Sequence, residues 1–467
     1  MKDNIFRMYD IRGIVGTELK IDQAYDLGKA IITYYKQIHP ETTSIIIGRD
    51  GRTHSPDITQ NIIQAAIDMG FDVTDIGIVP TPVLYFAVQH LNNKAGIAIT
   101  ASHNTKEYNG IKMWGISGDK IQDIKHIYHQ KNFYENKTNK RGTVTQQDIC
   151  SIYIDYLVEN FAHLKNKKLN AVIDCGNGSA GAVMPQLIKK MGWQNVSLLF
   201  PEIDGTFPNH EADPTVPENM EHVKHALAQD QELVVGIGFD GDADRMNPMT
   251  PSGKLVPGDE LLALFAQKIA RTHPNSAVVF DIKSSSGLIE VLEKLGSKPI
   301  ISPSGHSYIK KAIKEHNAVL AGELSCHFFF ADRYFGYDDG IYAAMRLIEI
   351  IDESQQTFEK LLSAFPAKIS SPEIRMKCSS DEEKTKIVDH VKTIFAARPD
   401  VDAITIDGIR VQMSYGWGLI RVSNTQPVIC LRFESGTKDG LTQVKQDFYN
   451  AMLPYFDAQK LKDSIEL

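Results

Sequence analysis

The sequence predicts an α/β protein built on mixed, mostly parallel sheets, with a smaller α+β domain at its C-terminal end. Three observations carry this. Short apolar runs recur along the chain, and each stops at a polar or glycine-bearing loop. Stretches of helical periodicity separate these runs, the alternation expected of parallel sheets. After about Pro366 the texture shifts to a long polar helix and clustered β-type runs.

In chain order, Phe6-Arg7-Met8-Tyr9-Asp10-Ile11-Arg12-Gly13 reads as a polar opening turn. A helix is predicted around residues 24–35. Ser44-Ile45-Ile46-Ile47 then reads as a buried strand ending in the charged turn Gly48-Arg49-Asp50-Gly51-Arg52. A helix over 58–69 and a strand over 72–76 complete a strand–helix–strand unit. Ala95-Gly96-Ile97-Ala98-Ile99 is a further short strand, followed by Thr100-Ala101-Ser102-His103-Asn104 and Tyr108-Asn109-Gly110-Ile111-Lys112. Ser102 sits where strand gives way to loop. It is expected to be exposed there, beside backbone N–H groups able to face an anion. The plainer alternative is a turn or cap serine. Further strands are predicted at 171–174, 233–239, 277–281 and 318–322, giving at least three α/β units. The last domain should hold a helix over 382–397, β-type runs at 403–406, 418–422 and 428–433, and a helix near 441–452.

Composition narrows the function. The 467 residues are 42% hydrophobic and 23% charged, an ordinary globular balance. No uninterrupted apolar run is long enough for a membrane span, and the N-terminus lacks a signal-peptide core. The five cysteines are scattered, with no C-x-x-C pair, which argues for a reducing, cytoplasmic setting without disulfides or a zinc site. A net charge of -8 without a basic block argues against a nucleic-acid partner. Any anionic ligand must therefore meet a local positive field.

Asp240-Gly241-Asp242-Ala243-Asp244-Arg245 is the sharpest local signal. Its three carboxylates alternate directly after a strand, so in an extended segment they share one side. Such a trio repels itself unless a cation neutralises it, and oxygen-only ligands suit Mg²⁺. An EF-hand is excluded, because its glycine and glutamate positions hold Arg245 and Pro251. Arg245 can meet phosphate oxygens or hold a carboxylate. Gly322-Glu323-Leu324-Ser325-Cys326-His327 follows another strand; Glu323 and His327 either read substrate hydroxyls or make ordinary loop hydrogen bonds. Lys283 and the loop Ser304-Gly305-His306 carry the same ambiguity. Arg421-Val422-Ser423-Asn424-Thr425-Gln426-Pro427, with Arg432 on the next strand, offers a phosphate cradle or a plain β-turn. Gly176, Gly178 and Gly181 spell the glycines of a dinucleotide site, but a lone match reads better as a tight strand-to-helix turn.

Together these stretches resemble the α-D-phosphohexomutase family, and within it the phosphomannomutase/phosphoglucomutase group. The resemblance covers essentially the whole chain through four ordered signatures: TASHN at Ser102, DGDADR at Asp240, GELSCH at Glu323 and RVSNTQP at Arg421. FRMYDIRG, VPTPVLYFA, FPNHEADP and GYDDGIYAAMRL support it. The resemblance implies a four-domain, heart-shaped architecture. Its parts are 1–148 with a phosphoserine loop, 149–252 with a metal loop, 253–367 with a sugar loop, and 368–467 with a phosphate loop.

It further implies that Ser102 carries a phosphoryl group and joins Asp240, Asp242 and Asp244 around one Mg²⁺ per chain. Glu323, Ser325 and His327 would grip sugar hydroxyls, and Arg421, Ser423, Asn424 and Thr425 the non-reacting phosphate. Tyr9, Lys283 and Arg432 match further substrate positions. Arg12, His103, Lys112, Arg245 and His306 match the catalytic set, with Arg12, Lys112 and His306 as proton-transfer or charge-stabilising helpers. The implied reaction interconverts hexose 1- and 6-phosphates of mannose or glucose, with hexose 1,6-bisphosphate as intermediate and activator. The implied protein is a monomer, with a dimer as the alternative. Phosphoglucosamine mutase is the rival within the family, and Leu324 with the 336–347 stretch favours the mannose/glucose group. A metal-assisted phosphohydrolase and an inactive sugar-phosphate sensor are the rivals outside it. Departures from the family pattern are Thr105 for proline, Cys326 for glycine, Gln426 for glutamate, and Asn247-Pro248 where a more apolar strand is usual.

Overall fold

The structure, a computed structural model, describes residues 1–137, 140–354, 356–423 and 428–467. The chain divides into two compact units: Met1–Leu261 with Ser325–Leu362, and Leu262–Leu324 with Ser363–Leu467.

The first unit holds two sheets. In the first, the strands lie in the order Ile11–Ile14, Tyr108–Met113, Gly96–Ile99, Ser44–Arg49, Asp72–Ile78, Val144–Gln146. The last four run parallel, and Tyr108–Met113 is antiparallel to both of its neighbours. The stretch read as a polar opening turn thus supplies an edge strand as well: Ile11 and Gly13 are buried while Arg12 and Ile14 alternate outward. Helix Ala24–Ile38 buries Leu27, Ala30, Ile31, Tyr34 and Tyr35, the three-and-four spacing of one helical face. Helices Ser55–Asp68 and Thr81–His90 each carry proline in the first turn, where its missing N–H costs nothing.

The second sheet runs Met246–Met249, Val235–Phe239, Ala171–Asp174, Val196–Leu199. Its last three strands are parallel, while Met246–Met249 folds back antiparallel on Val235–Phe239. Pro248 is tolerated because this strand is at the sheet edge, where a missing donor leaves no ladder bond unmade. Helix Gly340–Glu353 is buried over most of its length and is capped by Asp339, whose side chain accepts from Tyr342 N. The Asp339 carboxyl also accepts from the Tyr153 and Tyr334 hydroxyls, and burial pushes its pKa up to about 6.

In the second unit, Ala277–Asp281 runs parallel to both Lys298–Ser302 and Leu320–Gly322. The C-terminal part is an antiparallel sheet in the order Ile369–Ser370, Val428–Ser435, Gly416–Val422, Ile409–Met413, Asp402–Ile404, with Ile374–Lys377 also paired to Val428–Ser435. Six strands stand where three were predicted. Helices Asp381–Ala396 and Lys438–Met452 cover it, packing Ile387, Val391, Phe395, Val444 and Phe448 against Ile420, Leu431 and Phe433. Among the described residues, no helix is long and apolar enough to cross a membrane.

Candidate active site

Strand Gly96–Ile99 delivers the chain into the loop of Ser102, which adopts φ +53°. A serine rarely takes this left-handed conformation, which costs about 1–3 kcal/mol. Contacts on both sides hold it: its N–H donates to Thr100 Oγ1 at 3.0 Å, and its carbonyl accepts from Arg52 Nη2 at 2.9 Å. Ser102 is not exposed as expected but only 2% accessible, because the twisted backbone turns its side chain inward. Its Oγ donates to Asp240 Oδ2 at 2.9 Å and lies 3.1 Å from His103 Nδ1.

Asp240, Asp242 and Asp244 occupy the turn between the antiparallel strands Val235–Phe239 and Met246–Met249. The expected extended segment is instead a tight bend with Ala243 at φ +56°. The bend brings the carboxylates together: one oxygen from each lies within 4.8 Å of the others, and all three residues are buried. Lys112 Nζ donates to Asp242 Oδ2 at 2.7 Å and also to Asp244 Oδ2. Thr81 Oγ1 donates to Asp242 Oδ2 at 2.5 Å, and Arg245 N to Asp240 Oδ1 at 3.2 Å. His327 Nε2 stands 3.4 Å from Asp244 Oδ1.

The charges sort themselves accordingly. Burial, then repulsion from Asp244 and Asp242, pushes Asp240 well above the usual carboxylate range. Against the same burial penalty, the Lys112 ammonium holds Asp244 well below it. Lys112 is itself raised by the two carboxylates despite its burial. His103 is driven well below its ordinary value by burial and by the Arg245 and Arg12 charges. Arg245 Nη2 donates to its Nδ1 at 2.7 Å, which makes that nitrogen an acceptor on a neutral ring. Asp242 Oδ1 has no hydrogen-bond partner among the described residues. An orphaned buried carboxylate oxygen within an all-oxygen donor set fits a hard divalent cation.

Three glycines let backbones close around this turn. A Cβ on Gly241 would sit 2.5 Å from Ser102 O, one on Gly178 2.8 Å from Gly241 O, and one on Gly340 2.6 Å from Arg245 C and O. Ser179 N also donates to Gly241 O at 2.9 Å. Within the glycine run, Gly178 packs behind the acidic turn, Gly181 lies where a Cβ would meet Pro201 O at 2.0 Å, and Gly176 takes φ +55°, so each glycine has a packing or backbone reason.

Other predicted residues of this unit gather nearby. Arg12 Nη1 donates to Asn104 Oδ1 at 2.6 Å, and Asp10 holds its Nε at 3.0 Å. Tyr9 is half-buried. Ser325 Oγ lies 3.2 Å from His327 Nδ1. Cys326 between them is buried at φ +66°, so the residue replacing the usual glycine holds a conformation glycine takes freely.

The second unit gathers the rest of the predicted set. Gly305 N donates to Glu323 Oε1 at 2.7 Å, and His306 opens helix His306–His316. Lys283 Nζ lies 3.5 Å from Glu373 Oε2 and 3.6 Å from Asp281 Oδ2; despite burial, these carboxylates raise its pKa. Arg432 Nη1 donates to Lys283 O at 2.5 Å. Asp407 Oδ2 accepts from both Arg421 Nε at 2.8 Å and Ser304 N at 3.1 Å. Ser423 O accepts from Lys384 Nζ at 2.8 Å. Asn424 and Thr425 lie outside the described residues. Sequence reasoning missed Arg52, Thr81 and Asp407. Thr81, before Pro82, carried only a helix-start signal.

Comparisons with known proteins give the family. Models of phosphoglucomutase/phosphomannomutase α/β/α domains I, II and III match residues 3–137, 151–253 and 257–369, and the model of the C-terminal domain matches 373–451. A phosphomannomutase/phosphoglucomutase of Pseudomonas syringae pv. tomato is 40% identical over 450 residues, covering 96% of this chain and 95% of that protein. A phosphoglucomutase of Neisseria gonorrhoeae is 39% identical over 450 residues, covering 95% of this chain and 96% of that one. A crystal structure of a phosphoglucomutase/phosphomannomutase family protein from Burkholderia thailandensis superposes with a TM-score of 0.88 at 33% identity, covering 98% of each chain. The chain belongs to the phosphoglucomutase/phosphomannomutase family and is an enzyme of that family.

Proposed function

We propose that this enzyme interconverts the 1- and 6-phosphates of mannose and glucose through a phosphoserine at Ser102 and a hexose 1,6-bisphosphate. The observation that carries the reading is the Ser102 hydroxyl, 2.9 Å from Asp240 within a buried acidic trio. The names of the Pseudomonas and Neisseria relatives support the choice of sugars. The proposed domain map remains 1–148, 149–252, 253–367 and 368–467, and the proposed assembly is a monomer.

In the first half-reaction the Ser102 Oγ–phosphorus bond breaks as a bond forms from phosphorus to the free hydroxyl oxygen of the sugar. The second half returns the other phosphate to Ser102. Such transfer depends on positioning and charge neutralisation. Asp240, Asp242 and Asp244, with Ser102, would hold one Mg²⁺, which when bound supplies Lewis-acid neutralisation of phosphoryl charge. Lys112 stays cationic between two carboxylates and serves charge balance. Arg12 and His306, with Lys112, are assigned to proton transfer or charge stabilisation at the sugar hydroxyl. Arg245 holds the neutral His103 ring beside the serine side chain. Glu323, Ser325 and His327 are assigned to sugar hydroxyls. Arg421, Ser423, Asn424 and Thr425 are assigned to the distal phosphate, and Tyr9, Lys283 and Arg432 to substrate binding.

The test is Ser102→Ala. Wild-type protein incubated with glucose 1,6-bisphosphate should gain one phosphoryl group by intact mass, and the variant none. The variant should bind substrate yet lose turnover. Wild-type mutase rates in Ser102→Ala, or stoichiometric release of inorganic phosphate by the wild type, would overturn the proposal.

A further inference from the structure

Arg52 is among the most enclosed polar residues of the first unit: its side chain is 0% exposed. A guanidinium has five N–H groups, and here all five are engaged. Nε donates to Asp50 Oδ2 at 3.1 Å. Nη1 donates to Thr105 O at 2.7 Å and Tyr108 O at 3.1 Å. Nη2 donates to Ser102 O at 2.9 Å and Asn104 O at 2.5 Å. Four of the five acceptors are thus backbone carbonyls of the loop that carries Ser102 and of the first residue of the strand that follows it.

Arg52 is itself held from every side. Asp50 Oδ1 accepts from Arg52 N at 3.0 Å and from Ser55 Oγ at 2.6 Å. The Phe207 ring lies 5.0 Å from the guanidinium carbon. Gly205 packs so closely that a Cβ there would sit 2.4 Å from Arg52 Cα.

Ser102 at φ +53° can relax toward ordinary backbone only by turning about its own N–Cα bond, which moves its side chain and carbonyl relative to the N–H held by Thr100 Oγ1. That rotation breaks the Arg52 Nη2 bond and swings the Oγ away from Asp240. Asn104 is tied in the same way: its carbonyl is bound by Arg52 while its side chain accepts from Arg12.

We infer that Arg52 is a positioning residue for phosphoryl transfer: it locks the Ser102 loop in its strained conformation and, through Asn104, sets the place of Arg12. The inference rests on the proposed role of Ser102 as phosphoryl carrier. Lysine cannot replace it, because three donors on a point charge cannot serve a fork of five acceptors.

The experiment compares Arg52→Ala, Arg52→Lys and Ser102→Ala by steady-state kinetics on glucose 1-phosphate, with far-UV circular dichroism as the folding check. Misplacing a reacting atom by about 1 Å costs about 100-fold in rate, so Arg52→Ala should lose about 100-fold in kcat with KM within about threefold. Arg52→Lys should regain less than about tenfold of that loss. Millimolar guanidinium should restore part of the kcat of Arg52→Ala and none of Ser102→Ala. A wild-type kcat in a folded Arg52→Ala overturns the inference, as does a loss confined to KM or one that guanidinium leaves untouched. Should Arg52→Ala not fold, Arg52→Lys decides alone: wild-type kcat there defeats the inference. Ser102→Ala separates the two readings. An inactive Ser102→Ala beside an active Arg52→Ala removes only the positioning role, whereas an active Ser102→Ala removes both.

Discussion

Lys112→Met is the most informative perturbation of the acidic turn. Lys112 is buried and donates to both Asp242 and Asp244. The variant removes one positive charge from the cluster and so leaves it more negative by one, whatever the protonation state of Asp240. Removing one partner from a buried ion pair costs about 3–5 kcal/mol, because the other stays buried without compensation. At about 2–4 °C per kcal/mol for a unit of this scale, the first thermal transition should fall by about 6–20 °C in the presence of EDTA. The sign of the metal response follows from the same charges. One additional uncompensated charge about 4 Å away strengthens attraction for a divalent cation by up to about 8 kcal/mol at an effective dielectric of 20. Magnesium should therefore raise the transition more in Lys112→Met than in the wild type, through ordinary binding linkage. Differential scanning fluorimetry of both proteins, with EDTA and with a magnesium titration, measures both quantities. A magnesium-dependent shift in the variant no larger than in the wild type would refute the charge argument.

Two more predictions follow from packing and from pH. Gly241→Ala places a Cβ 2.5 Å from Ser102 O, a backbone atom that cannot swing aside, so about 1–3 kcal/mol of strain and a kcat loss of about 100-fold are expected. Gly436→Ala, with nothing within 4 Å, should match the wild type and is the control; equal kinetics for the two variants would contradict the close-packing account. Asp339 titrates near 6 in the folded protein against 3.8 for a free aspartate. The folded state therefore keeps a proton that the unfolded state loses over that window. The group's contribution is full below about pH 4 and is lost as pH rises through 6, a span of about 3 kcal/mol. The stability of the wild type relative to Asp339→Asn should accordingly grow by about that amount from pH 7 to pH 4 in denaturant melts, and a flat difference would count against it.

The readability of the chain followed how local each feature was. The strands leading to Ser102 and Asp240 are short apolar runs with polar ends, and the sequence located both ahead of the loops they position. The three aspartates were legible as a group because they lie within five residues. Their convergence was not, since it depends on Ala243 at a positive φ, which alanine does not announce. The burial of Ser102 was hidden for the same reason. Arg52 escaped notice because its partners are backbone carbonyls about fifty residues away, and carbonyls leave no residue-type signature. In the C-terminal sheet, Ile409–Met413 was passed over although Ile409, Val411 and Met413 alternate with the polar Arg410 and Gln412. The guanidinium is nonetheless buried, 3.8 Å from the Trp417 ring centre, with its Nη1 on Ile282 O and Ser284 O.

The return of the chain to the first unit at Ser325 bears on how the protein is made. The acidic turn is synthesised by residue 245, yet Gly340, whose N–H donates to Ala243 O, and His327, which bridges to Arg245, emerge up to roughly a hundred residues later. At about 5–20 residues per second, a ribosome takes about 5–20 s to supply them. Throughout that delay the nascent chain carries a half-walled anionic turn, and fragments ending before residue 325 should be a natural target for chaperones and proteases.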